Sequence, residues 1–153
     1  MKLRKKRINN LIKTLETEAG KNMFDMEDWI GHNGSKSPRR AFASGGTCGT
    51  TACIAGMSAI IDPDFFIIEK LPLSDYTPKR HYCIREKGAD KTEDVIKAFS
   101  HWLNIPYEDA WSICYNDTIV WNHKNDWESE IEFATKILKA YRDGGMKELN
   151  NVL

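Results

Sequence analysis

The sequence has no net charge, with 22 basic residues against 22 acidic ones over 153 positions. That balance argues against a nucleic-acid binder held by a large basic excess. Any apolar run near the roughly 18 residues of a membrane span is also missing. The opening Met1-Lys2-Leu3-Arg4-Lys5-Lys6-Arg7 leads into an amphipathic pattern, not the hydrophobic stretch of a signal peptide. A cytoplasmic protein without a membrane partner is expected. Cysteine is sparse: Cys48, Cys53, Cys83 and Cys114 include no Cys-x2-Cys, and the histidines include no His-x3-His. Zinc could in principle use Cys48, Cys53, Cys83, His81 or Cys114, but reduced thiols are expected, with no metal and no cofactor. No repeat, low-complexity tract or linker divides the chain, so residues 1–153 read as a single domain, long enough to bury about 70% of the unfolded surface.

What is present is uneven. Residues 1–46 hold ten Lys or Arg against five Asp or Glu, and the remainder holds twelve against seventeen. This asymmetry favours an anionic ligand near the first segment and the loop that follows it. Ile8, Leu11, Ile12 and Leu15 form an apolar stripe opposite the basic residues, the pattern of a helix docking by one side. Ala19-Gly20 looks like its stop, and Asp25 is placed to cap a short turn that packs Phe24, Met26 and Trp29 on the core. Residues 31–46 have no period and are rich in turn formers, so they read as a long loop.

Thr47 to Asp62 is almost uncharged and predicts a buried central helix over about 50–61, with Ala52, Ala55, Gly56 and Ala59 on one small-residue stripe. Phe65-Phe66-Ile67-Ile68 and the weakly alternating Arg80 to Arg85 predict a small hairpin or extended excursion. Thr92 reads as the cap of a helix through Val95, Ile96, Phe99, Trp102 and Leu103, stopping at Asn104. A short helix from Tyr107 to Cys114 and a long one ended by Gly144-Gly145 complete the chain. The fold class is mainly α, a compact helical bundle around the central helix.

The glycine-rich approach to that helix is not a Walker loop, because no lysine follows Gly49. It fits a more general anion nest, in which Gly45, Gly46 and Gly49 admit close backbone approach and Thr47, Thr50 and Thr51 add hydroxyls. Lys36, Arg39 and Arg40 in the preceding loop would supply charge, and Trp29 or Phe42 would stack on a base. A Thr-capped buried helix needs the same small residues for structural reasons alone. Cys48 sits where a helix amino terminus lowers a thiol pKa, and Cys-Gly-Thr superficially resembles the nucleophile region of papain-like enzymes. Of His32, His81, His101 and His123, none lies at a spacing that selects it as the partner base, and His101 on an apolar helix reads as packing.

Phe24-Asp25-Met26-x-x-Trp29, then Cys48-Gly49-Thr50-x-Ala52-Cys53-Ile54-Ala55-Gly56, then Trp102-Leu103-Asn104-Ile105 resemble a group of small phage and bacterial proteins. The resemblance covers residues 22 to 143 and carries no activity with it. It implies a phage setting, and so a protein that sequesters a nucleotide-like anionic small molecule in the host cytoplasm, as an anti-defence sponge. Two alternatives stand beside it: a hydrolase using Cys48, and an inhibitor that binds a host protein without a small-molecule site. Self-association is open in each case. Alkylation separates the first two readings. A binder is expected to react slowly with iodoacetamide at Cys48 at pH 6, whereas fast stoichiometric labelling would identify the activated thiol of a hydrolase.

Overall fold

A computed structural model of the chain describes residues 2–24, 30–32, 37–46, 50–70, 80–90, 93–115 and 130–153. It is mainly helical with an antiparallel hairpin in the middle, as the sequence periodicity predicts. The first helix, α1 (Lys5–Leu15), buries Ile8, Leu11, Ile12 and Leu15, the whole of the predicted stripe. Ala19-Gly20 does not end it. Both residues lie inside a second helix, α2 (Glu18–Met23), whose cap is Thr17, accepting the Gly20 N–H at 3.1 Å. The glycine is required there because a Cβ would come within 2.1 Å of the Thr14 carbonyl oxygen. Asp25, Met26 and Trp29, expected to form a packed turn, lie outside the described residues.

The described parts of the stretch 31–46, expected to be a long loop, hold regular structure. They contain the end of a short strand, β1 (Ile30–His32), and a helix, α3 (Pro38–Ala43), which starts with proline at a position where a missing N–H costs nothing. A second short strand, β2 (Thr50–Ala52), precedes the central helix, α4 (Ile54–Ile61). The predicted helix start near residue 50 is therefore corrected to Ile54. The β-branched Thr50 and Thr51 suit an extended backbone, and β1 offers them a partner with Thr50 opposite His32 and Thr51 opposite Gly31. Within α4 every residue from Ile54 to Ile60 is buried, and the one hydroxyl among them, Ser58, donates to the Ala55 carbonyl at 2.6 Å.

The hairpin pairs β3 (Phe66–Lys70) with β4 (Arg80–Glu86), in a register that sets Ile68 opposite Ile84. β1 adds to the far edge of β4 with Gly31 opposite His81, so a single antiparallel sheet runs in the order β2-β1-β4-β3. Next comes α5 (Val95–Leu103), capped by Asp94, whose carboxylate accepts the Ile96 N–H at 2.8 Å. The expected cap, Thr92, lies outside the described residues. α5 stops at Asn104 as expected, and that residue takes the left-handed conformation, with φ 57° and ψ 53°. α6 (Tyr107–Cys114) follows with Glu108 and Asp109 in its first turn. The last helix, α7 (Glu130–Val152), is interrupted at Gly145, where φ is 65°.

α1 and α7 lie side by side, joined at their rims by Arg142 Nη1 donating to Asn9 Oδ1 at 3.1 Å and by Lys139 with Glu16 at 3.1 Å. Tyr141 reaches across to α6 and donates to Asp109 Oδ2 at 2.6 Å. At the centre Trp102 is 1% exposed and packs its ring 5.7 Å from Phe66 and 6.1 Å from Phe99.

Gly45 and Gly46 both have positive φ, 97° and 74°, but their surroundings differ. A Cβ on Gly46 would meet the Ala19 carbonyl oxygen at 2.6 Å and Met23 Cγ at 2.7 Å, whereas one on Gly45 would meet nothing within 4 Å. Gly45→Ala is expected to destabilise by about 1 kcal/mol through backbone strain alone, and Gly46→Ala by about 2 to 4 kcal/mol through strain plus overpacking. Urea unfolding of the two variants checks the difference, and equal losses would contradict the close approach of the loop to α2.

Candidate functional site

α1 is strongly amphipathic, so its polar side must face either water or a cavity. Part of it faces a cavity. An open cleft of about 710 Å³ runs between α1 and the carboxyl end of α4. One wall is polar and carries Arg7, Asn10 and Lys13 from α1, and the other is apolar, with Phe42 from α3 and Ile60 and Ile61 from α4. Asp62 and Trp102 meet at its base.

The groups at the base are fixed. Asp62 Oδ2 accepts the Trp102 Nε1–H at 2.8 Å, and Oδ1 accepts the Phe65 N–H at 3.3 Å. The Arg7 guanidinium donates to the Trp102 carbonyl at 2.7 Å and lies 4.0 Å from the Asp62 carboxylate. It also stands 5.0 Å above the Phe65 ring and 6.0 Å from that of Trp102. Burial, and then the nearby Arg4, lower the Arg7 pKa, while Asp62 opposes them. The guanidinium keeps its charge nonetheless, as arginine does throughout proteins. Thr14 and Thr17 turn their hydroxyls back onto the carbonyls of Asn10 and Thr14. The side chains of Asn10 and Lys13 have no hydrogen bond or ion pair among the described residues.

Among the described residues, those expected at the amino end of the central helix fall at both of its ends. Arg39 is at the opposite end. Its Nη2 donates to the Ala59 carbonyl at 3.0 Å and to the Phe66 carbonyl at 3.0 Å, so it caps the carboxyl terminus of α4 and ties it to β3. Burial lowers its pKa, with Asp62 acting in the other direction. Phe42 also sits at the carboxyl end of α4, where it lines the cleft. Arg40 is exposed. Thr50 and Thr51 belong to β2 on the amino side of α4, and an eight-residue helix separates the two groups by about 12 Å. Trp29, Lys36, Thr47, Cys48 and Gly49 lie outside the described residues.

The other described cysteines offer no nucleophile in the cleft. Cys53, Cys83 and Cys114 are not in disulfides, and Cys53 and Cys114 are buried. Burial, reinforced by Cys53 and Asp94, pushes the Cys114 pKa well up, which keeps it protonated and inert. No family model matches the chain, and no curated protein or solved structure shows significant similarity to it.

Arg7, Asn10, Lys13 and Asp62 were not singled out as site residues from the sequence. For Arg7, Asn10 and Lys13 the available signal was the basic excess of the first 46 residues, which marks their segment without selecting positions, and Asp62 lies outside it. The two loop arginines now separate cleanly. Arg39→Ala is expected to destabilise the fold by about 2 kcal/mol or more, because two carbonyls lose a charged donor, whereas Arg40→Ala stays within about 0.5 kcal/mol. Denaturant midpoints of the two variants test this, and a neutral Arg39→Ala would remove its capping role.

Proposed function

We propose that the protein binds a nucleotide-like anionic small molecule in the cleft beside α1 and holds it without turning it over. The observation that carries this reading is the pairing of Lys13, Asn10 and the Arg7 charge on one wall with the apolar surface of Phe42, Ile60 and Ile61 on the other. An anionic group would lie on the α1 side, and a planar ring against the apolar side. The cleft volume is in the range that takes a ligand of that size. Asp62, the one carboxylate in the lining, already accepts two hydrogen bonds, which leaves it poorly placed as a general base and favours a binder over an enzyme. The resemblance to phage proteins adds the setting in which such a binder would withdraw a nucleotide signal from its host.

A second reading rests on α6, where Tyr107, Trp111 and Tyr115 are 39%, 48% and 40% exposed and fall on one stripe. The Trp111 and Tyr115 ring centroids are 4.0 Å apart. Aromatic residues displayed in this way suit a protein partner, and this is the reading to which failure of the cleft would lead.

Calorimetric titration of the full chain with linear and cyclic nucleotides is expected to show one-to-one binding of at least one of them. Lys13→Glu should weaken that binding by at least about tenfold with little change in melting temperature, and added salt should weaken it in the parent. A silent panel, or an affinity indifferent to both Lys13→Glu and salt, would overturn the proposal.

A further inference from the structure

Away from the cleft, the end of β4, the residue before the α5 cap and the third turn of α5 bring together Glu86, Glu93 and His101. One potential ligand atom from each lies within 4.8 Å of the other two. His101 Nδ1 is 2.9 Å from Glu86 Oε2 and 4.0 Å from Glu93 Oε1. Seven and eight residues separate the three along the chain, a spacing that no local metal motif uses, so the group emerges only when α5 packs on β4. His101, expected as half-buried packing, has a side chain 49% exposed, and its ring nitrogen faces two carboxylates.

The Glu93 side chain is the second and independent observation. It is only 7% exposed, yet among the described residues neither it nor Glu86 forms an ion pair with a lysine or arginine. Arg85, the nearest candidate in sequence, is committed to Glu69 at 2.6 Å and to the Ala89 carbonyl at 2.9 Å. Glu93 Oε2 accepts the Glu86 N–H at 2.9 Å, which holds the carboxylate and directs Oε1 into the group, where it has no hydrogen bond among the described residues. A carboxylate with this little exposure favours a neighbouring cation, and a second carboxylate beside it adds to that demand.

We infer that Glu86, Glu93 and His101 form a binding site for a divalent first-row transition-metal ion of the zinc class. Two carboxylates and a neutral imidazole balance a charge of two. Donor atoms about 2.1 Å from one ion in a tetrahedral site lie about 3.4 Å apart, between the 2.9 and 4.0 Å that separate His101 Nδ1 from the two carboxylates, and the carboxylate pair, within 4.8 Å, would draw together on the ion. The absence of thiolate from the set argues against copper(I), and one nitrogen with two carboxylates is too few oxygen ligands for calcium. The exposed edge of His101 leaves the remaining coordination positions to water. The ion would fasten the end of β4 to α5.

The test uses the full chain after treatment with a chelator. Calorimetry with Zn²⁺ and absorption spectroscopy with Co²⁺ are expected to show one ion per chain, and Zn²⁺ should raise the melting temperature because it binds the folded state alone. His101→Ala and Glu93→Gln should each weaken binding by at least about tenfold. Glu93→Gln keeps an acceptor for the Glu86 N–H, so the metal-free fold should survive. Should it not, Glu86→Gln at the more exposed carboxylate replaces it. Absence of Zn²⁺ binding, binding unchanged in the variants, or a Co²⁺ spectrum with thiolate charge-transfer bands would each overturn the assignment. In those cases His101 is an ordinary ion-pair partner, or the metal sits on cysteine.

Discussion

Every residue of α4 from Ile54 to Ile60 is buried, so the main-chain groups at the ends of that helix must find their partners inside the protein. The carboxyl end is the demanding one, since its free carbonyls carry the negative end of the dipole into the core. Arg39 meets this demand with a guanidinium on the Ala59 carbonyl, and the same group reaches Phe66 in β3. Asp62 then turns the chain by accepting the Phe65 N–H, and fixes Trp102 through its indole. Three elements distant in sequence, α3, β3 and α5, are thus placed by the termination of one helix. The cleft beside α1 is the space left over where that junction meets the solvent.

The helices were largely legible. Ile8, Leu11, Ile12 and Leu15, or Ile96, Phe99, Trp102 and Leu103, repeat at helical spacing because each helix hides a single face, and periodicity reads that directly. The sheet beyond its central hairpin was not. β1 and β2 have three residues each, too few to show a period, and their pairing joins Ile30 to Ala52 across a gap that no local rule spans. α3 was hidden by the turn-forming residues on either side of it. The basic first segment was visible as a charge excess. Which of its residues share a cleft with Phe42 depends on how α3 folds back to the carboxyl end of α4. Sequence reasoning had placed Arg39 and Phe42 at the other end.

His101 and Trp102 are neighbours on α5, and they serve opposite sides of the molecule. Trp102 points to the core and the base of the cleft, while His101 turns outward to the carboxylates of Glu86 and Glu93. An ion at the second place would immobilise the same turn of helix that supports the first. Periodicity puts Trp102 on the buried face and His101 off it, but only the packing of α5 on β4 shows that His101 meets two carboxylates.

The pairing of α1 with α7 has a consequence for synthesis. Of the helices that α1 packs against, α2 follows it at once, whereas α7 lies more than a hundred residues further along the chain. At ordinary translation rates the apolar stripe of α1 waits on the order of ten seconds for that partner. During this interval Lys5, Lys6, Arg7 and Lys13 surround the stripe with like charge. Arg7 and Lys13, which later border the cleft, would with Lys5 and Lys6 act earlier as a built-in deterrent to aggregation of the nascent chain.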